Sequence, residues 1–115
     1  MPPIDYRQAR AGIRLAEVLD LAGFEASWRR GEQVRGPCPV HRARTPMSRS
    51  FAADHDKQLW HCFRCGAGGN ALDLWVAVTG QRLHAAVLDL CKRLGHDVPW
   101  LRSPRILERR TMPDP

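Results

Sequence analysis

The sequence lacks the long apolar run of about eighteen residues that a membrane-spanning helix requires, so no membrane association is expected. Its first residues have neither the basic start nor the apolar stretch of a secretory signal, and we expect a cytoplasmic protein. Cysteine is scarce, with 4 in 115 residues. In a reducing compartment, cysteines spaced in close pairs favour metal binding over disulfides. A disulfide framework is therefore the weaker alternative.

Positive charge is in excess, and it is concentrated in one region. The chain has 18 Lys and Arg against 12 Asp and Glu, a formal net charge of +6. Residues 28–64 hold eight of the basic residues against three acidic ones, a net of +5. Clustered positive charge interleaved with aromatic residues is typical of a surface that binds a polyanion such as nucleic acid. A solvated basic surface is the alternative.

Three cysteines and one histidine are spaced as two close pairs. Cys38 and His41 form the first pair, Cys62 and Cys65 form the second, and two residues separate the members of each. A short turn lets both members reach one metal at about 2.0–2.3 Å. The four side chains complete a tetrahedron and leave no open position for water, so we predict one structural zinc ion rather than a catalytic one. Cys91 lies on an apolar helical stripe and is predicted to be a buried free thiol.

Apolar periodicity predicts three helices around this pattern. The first spans about 9–22, where apolar residues return every three or four positions. The second follows Asn70, which caps it together with Asp73 in the capping-box position, and ends at Gly80. The third spans about 82–94. These helices supply the apolar surface on which a small sheet can pack.

Two β-hairpins are predicted between the first and second helices, and each brings one ligand pair to the metal. Their strands are 27–30 with 33–35 and 50–53 with 58–61, and the glycine-rich stretch 66–69 is predicted to be a turn. The predicted fold class is therefore α+β, a small zinc ribbon packed with one N-terminal and two C-terminal helices.

The chain divides into three parts by composition. Residues 1–8 are predicted to be a lead-in, 9–100 a single zinc-binding domain, and 101–115 a disordered tail rich in Pro and Arg. A monomer is expected.

The residues around the ligands resemble the N-terminal zinc-binding domain of bacterial and phage DnaG-type DNA primases. The resemblance rests on 36–41, 50–51 and 61–71, and it covers about 9–100. It implies that Cys38, His41, Cys62 and Cys65 hold one zinc ion. It also implies that the domain engages single-stranded template DNA, in replication or in the DNA metabolism of a mobile element.

Family members use basic and aromatic residues on the exposed face of the ribbon's sheet. By resemblance, the nucleic-acid-binding candidates here are Arg35, Arg44, Arg49, Phe51, Lys57, Trp60 and Arg64. Because side chains alternate along a strand, only some of the aromatic residues can be exposed. The predicted binding face combines Phe51 with Arg35, Arg49 and Lys57, and Trp28 and Phe63 are further stacking candidates.

Two functions from different classes follow. The first is a zinc-dependent module that binds single-stranded DNA and works with a separate primase, polymerase or helicase protein. In this hypothesis the chain is not an enzyme by itself, because the sequence offers no acidic cluster for Mg²⁺ and no room for a catalytic domain. The alternative is a zinc-ribbon interaction or regulatory module, in which the apolar helices contact a protein partner without direct DNA binding.

Overall fold

The computed structural model describes residues 3–41 and 48–101, so Arg44 and the predicted tail beyond Leu101 lie outside the described residues. In these residues four helices pack with one antiparallel sheet, and the predicted α+β zinc-ribbon fold is confirmed. None of the helices in the described ranges is long and apolar enough to cross a membrane. In chain order the elements are α1 (Tyr6–Gly12), α2 (Leu15–Leu21), β1 (Trp28–Arg30), β2 (Gln33–Gly36), β3 (Phe51–Asp54), β4 (Leu59–Cys62), β5 (Gly68–Gly69), α3 (Ala71–Thr79) and α4 (Leu83–Leu94).

The sheet is a five-stranded meander in which each strand pairs with its neighbours in sequence. Both predicted hairpins are present, and pairing between β2 and β3 joins them into one sheet. Burial alternates along β3 and β4, so one face of the sheet is buried and the other is exposed. One cross-strand row on the exposed face consists of Trp28, Arg35, Ala52, His61 and Gly68.

The N-terminal helical region consists of two short helices, where one helix over 9–22 is predicted. Ile13 and Arg14 have extended backbone conformations, with ψ angles of 111° and 147°, and they separate α1 from α2. Side chains satisfy the backbone groups at this break. Glu17 Oε1 accepts a hydrogen bond from the Arg14 N–H at 3.0 Å, and Gln58 Oε1 accepts one from the Leu15 N–H at 2.6 Å. The second of these bonds is non-local, so periodicity alone does not reveal it.

The described part of the predicted lead-in, 1–8, is built into the fold. Helix α1 already begins at Tyr6, and the Asp5 carboxylate accepts a hydrogen bond from the backbone of its first turn. Ile4 is buried and forms an isolated antiparallel bridge with Trp100. The Asp5 N–H also donates to the Pro99 carbonyl at 2.7 Å, so both ends of the domain are hydrogen-bonded together.

Gly68 and Gly69, in the glycine-rich stretch 66–69, form a strand, which corrects the prediction of a turn over the whole stretch. Gly68 and Gly69 pair with His61 and Trp60 as the edge strand β5. A Cβ atom on Gly68 would lie 3.0 Å from both the His61 Nδ1 atom and the Trp60 carbonyl oxygen. Glycine therefore allows β5 to approach β4 closely.

The apolar core lies between the buried face of the sheet and the helices. Helix α3 packs against α2, α4, β4 and β5. Its predicted capping box is present, because Asn70 and Asp73 each accept a hydrogen bond from the other's backbone N–H. Cys91 on α4 is 1% exposed and free, which confirms its prediction as a buried thiol.

Candidate metal centre and nucleic-acid interface

The four predicted zinc ligands converge at one end of the sheet. Cys38 and His41 follow β2, Cys62 ends β4, and Cys65 lies in the next turn. Their ligand atoms all lie within 4.8 Å of one another. In a tetrahedral site with Zn–S and Zn–N bonds of about 2.3 and 2.0–2.1 Å, sulfur and nitrogen lie about 3.6 Å apart. His41 Nδ1 lies 3.6 Å from Cys62 Sγ, so the donor set fits one zinc ion.

Local backbone geometry orients these ligands. Pro37 and Pro39 flank Cys38 and keep its segment out of a helix. After β4 the chain turns tightly, and the Cys65 N–H donates a hydrogen bond to Cys62 Sγ at 3.4 Å. Gly66 closes this turn with a left-handed φ of 80°, a conformation that glycine adopts without steric cost. The turn thus places a backbone donor against the sulfur of Cys62.

The two buried thiols have different electrostatic surroundings. Burial raises the pKa of the Cys38 thiol to about 11, although the His41 N–H donates towards its sulfur. Burial also disfavours the Cys62 thiolate, but hydrogen bonds from the Cys65 and Arg64 N–H groups and from the Cys65 and Cys38 side chains together outweigh it and lower the pKa of Cys62. Zinc binds thiolates and not thiols, so metal uptake at this centre releases protons.

Phe51 and Trp60 lie on the buried face of the sheet, which corrects their prediction as nucleic-acid contacts. Phe51 is 0% exposed and Trp60 is 4% exposed. The two rings stack with centroids 5.6 Å apart, and Phe24 packs on Phe51 at 5.1 Å. The Trp60 Nε1–H donates to the Asn70 carbonyl at 2.7 Å. Both rings therefore fill the core between sheet and helices and present no free face to a base.

The opposite face of the sheet carries a different set of aromatic residues. Phe63 is 65% exposed, and the His61 ring meets it edge-on with centroids 4.8 Å apart. The Arg35 guanidinium lies over the Phe63 ring, 5.0 Å from its centroid. A shallow groove of about 500 Å³ runs over this face. We call it the outer groove, and its lining includes Trp28, Arg35, Ala52, Asp54, Lys57, His61 and Phe63, together with part of the otherwise buried Trp60.

Of the four predicted cations that the structure describes, two line this groove. Arg35 and Lys57 line it, and the Arg35 Nε–H donates to the Arg49 carbonyl at 3.0 Å. Arg49 and Arg64 are exposed. The list of predicted contacts omits His61. Strand alternation could have placed His61 on the outer face, because a residue next to the ligand Cys62 in a strand has to face away from the metal.

Two close Cys/His pairs at the end of an antiparallel sheet define the class of zinc-ribbon proteins. Within that class, residues 6–105 match the family model described as the CHC2 zinc finger of DnaG. The chain belongs to this CHC2 zinc-finger family, the zinc-binding domain of DnaG-type primases.

Individual relatives agree with this assignment. The chain is 38% identical over 98 residues to a DNA primase of Halalkalibacterium halodurans, covering 84% of this chain and 16% of that protein. It is 44% identical over 69 residues to a DNA primase of Pseudomonas aeruginosa, covering 60% of this chain and 10% of that protein. The chain therefore corresponds to about a sixth or less of the length of these relatives.

A solved structure shares the fold. It is the Aquifex aeolicus primase with its zinc-binding and RNA polymerase domains. The similarity has a TM-score of 0.66 and 29% sequence identity, and it covers 93% of this chain and 24% of that one.

Proposed function

We propose that this domain holds one structural zinc ion through Cys38, His41, Cys62 and Cys65 and binds single-stranded DNA in its outer groove. The observation that carries the proposal is the exposed Phe63 ring, which lies under the Arg35 guanidinium on a face lined by further aromatic and basic side chains. Single-strand binding sites combine stacking surfaces for bases with cations that follow the phosphates. The outer groove offers both.

The proposed roles differ between the two kinds of side chain. Trp28 and Phe63 provide aromatic surfaces for bases, in place of the buried Phe51 and Trp60. Arginine and lysine attract phosphates. This role is proposed for Arg35, Arg49, Lys57, Arg64 and, from the sequence alone, Arg44.

The zinc ion has an indirect role in this proposal. When bound, it supplies a cross-link between the segment after β2 and the turn after β4. Phe63 and Arg64 lie within that second turn, between two of the proposed ligands. Because the turn that orients both side chains depends on this cross-link, loss of the metal is expected to remove the binding surface together with the fold.

The domain is proposed to support primer synthesis and not to perform it. Its relatives are named DNA primases, and the related Aquifex structure contains a zinc-binding domain together with an RNA polymerase domain. We therefore propose a catalytic primase or polymerase, or a helicase, as the protein partner. The chain alone, supplied with a single-stranded template, nucleotides and Mg²⁺, is expected to make no primer. Primer product from the purified chain would overturn this assignment.

Fluorescence anisotropy tests the DNA-binding proposal directly. The zinc-loaded chain is titrated into a short labelled single strand at low and moderate salt. We expect dissociation constants in the micromolar range or tighter at low salt. We also expect log K to fall with log salt by about 0.7 for each phosphate contacted. No binding at low salt would overturn the proposal and favour a protein-interaction module.

A further inference from the structure

One residue at the rim of the outer groove has an unusual backbone conformation. Gln58, in the turn between β3 and β4, has φ 58° and is the one non-glycine residue in the described ranges with a positive φ. Side chains with a Cβ atom disfavour this left-handed conformation. Such a residue persists where the surrounding contacts hold it in place.

Two hydrogen bonds of the Gln58 amide supply those contacts. Its Oε1 accepts from the Leu15 N–H at 2.6 Å, and its Nε2 donates to the His55 carbonyl within the turn. Leu15 begins helix α2, 43 residues away, and an N–H in the first turn of a helix has no partner within that helix. The His55 N–H in turn donates to the Glu32 carbonyl at 2.8 Å. The amide thus links both hairpin turns to α2.

The bridge lies directly behind the proposed binding surface. Lys57 and Leu59, the two neighbours of Gln58, both line the outer groove. The Gln58 side chain points the other way and lines a separate cavity between α2 and the hairpins, beside Glu17 and Phe24. The left-handed backbone therefore lets Gln58 contact the helix while its two neighbours face the groove.

We propose that Gln58 is a positioning residue of the nucleic-acid site, whose bridge to Leu15 holds Lys57 and Leu59 in the arrangement that binds single-stranded DNA. This inference rests on the proposed function. It predicts energetic coupling between the groove and the first amide of α2, on the other side of the sheet. Coupling between two sites is reciprocal: if the bridge strengthens DNA binding by some factor, DNA binding strengthens the bridge by the same factor.

Two substitutions remove the bridge while keeping a residue that tolerates the left-handed conformation. Gln58→Gly has no side chain, and Gln58→Asn is too short to reach Leu15, yet glycine and asparagine both adopt positive φ readily. At a temperature where each variant is folded and zinc-loaded, we expect each to bind a short single strand about fivefold or more weakly than the wild type. Equal affinity in the folded variants would overturn the proposal. Weakening by Gln58→Gly alone would also do so, because it would indicate added flexibility instead of a lost bridge.

Hydrogen exchange of the Leu15 amide gives the second readout, which a purely structural role would not change. In the wild type, a saturating single strand is expected to slow exchange at Leu15 by a factor similar to the affinity lost in the variants. The Ala86 amide, which donates to the Arg82 carbonyl at 2.8 Å in α4, serves as the control. If the strand binds but exchange at Leu15 does not slow, the coupling is absent and the inference fails. Failure of the wild type itself to bind would instead reject the proposed function, and this inference with it.

Discussion

The two faces of the sheet are built from the same strands, but one packs against the helices and the other is exposed. The buried face presents Phe51, Trp60 and the proposed ligand Cys62 to the helices. The outer face presents Arg35 on β2 and His61 on β4, the latter between Trp60 and Cys62, together with Phe63 beyond the end of β4. Aromatic residues occur on both faces, so an aromatic ring in this basic region does not by itself indicate a nucleic-acid contact. Strand parity separates the residues that pack the core from those that are proposed to bind.

The faces also depend on each other through the metal. Cys62 lies on the buried face, and the chain then passes through Phe63 to Cys65 within one turn. A metal that holds Cys62 and Cys65 therefore fixes the turn that presents Phe63 to the groove. Removing the metal should disrupt both faces, whereas changing one aromatic residue should affect only one of them.

The largest expected effect is loss of the fold on removal of zinc or of a ligand. Structural zinc contributes about 10–16 kcal/mol in small zinc-finger peptides, and this chain of 115 residues has a modest core. Chelation and Cys62→Ala are each expected to abolish the cooperative thermal transition followed by circular dichroism. Cys91→Ala, which also removes a buried thiol, should keep full zinc content by elemental analysis. An unchanged melting curve after complete chelation would refute a structural role for the metal.

The next largest effects are expected from two phenylalanine substitutions, one on each face, of which one should lower stability and the other DNA binding. Phe51→Ala leaves a cavity in the core and should lower the free energy of unfolding by about 3–5 kcal/mol. Phe63→Ala removes an exposed ring and should leave the unfolding free energy nearly unchanged. Loss of one stacked base costs about 1–3 kcal/mol, so Phe63→Ala should weaken single-strand binding by roughly 5- to 150-fold. Denaturant titration and anisotropy measure the two effects. If Phe63→Ala binds DNA as well as the wild type, the proposed role of Phe63 in binding is wrong.

A smaller contrast concerns two tryptophans on opposite faces. Trp60→Phe retains the buried ring but loses the hydrogen bond from Nε1 to the Asn70 carbonyl, which should cost about 1–3 kcal/mol because that carbonyl is left without its partner. Trp28→Ala on the outer face should chiefly weaken DNA binding. Denaturant midpoints and dissociation constants measured for both variants test this. A larger affinity loss in Trp60→Phe than in Trp28→Ala would reverse the assignment of the faces.

The smallest expected effect is on the pH dependence of stability, through Asp54 at the end of β3. The Lys57 N–H donates to the Asp54 carboxylate and lowers its pKa from the ordinary 3.8. A lowered pKa in the folded state stabilises the protein above about pH 4, and this contribution is lost as the pH falls through the folded-state pKa. Asp54→Asn should therefore flatten the fall in thermal stability below pH 4 and change it little near neutrality. An unchanged acid slope would show that other carboxyl groups determine it.

Local patterns in the sequence predicted much of this structure. Turn residues and the alternation of side chains along strands predicted both hairpins. Glycine caps and the Asn70 capping box predicted the last two helices. Strand parity was also available. Since His61 faces away from the metal because it neighbours Cys62, Trp60 has to share the face of Cys62. Applied consistently, the same rule assigns Trp60 to the core.

The features that the sequence did not reveal depend on contacts between distant residues. The break between α1 and α2 coincides with the Gln58 bridge to Leu15, and the ordered N-terminal segment depends on the pairing of Ile4 with Trp100. Neither partner is recognisable from periodicity or spacing. The short strand β5 likewise depends on how closely its glycines approach β4.

The central claim, that the outer face binds single-stranded DNA while the buried face packs the core, can be tested by following the four tryptophan indole N–H signals in one NMR titration. Trp28 is partly exposed on the outer face. Trp60 and Trp75 are only 4% and 5% exposed, and their Nε1–H groups are hydrogen-bonded inside the protein to Asn70 and Asp89. On addition of a short single strand, the Trp28 signal should move most, and those of Trp60 and Trp75 should stay nearly fixed. A stationary Trp28 signal at saturation, with Trp60 or Trp75 shifting instead, would contradict the account.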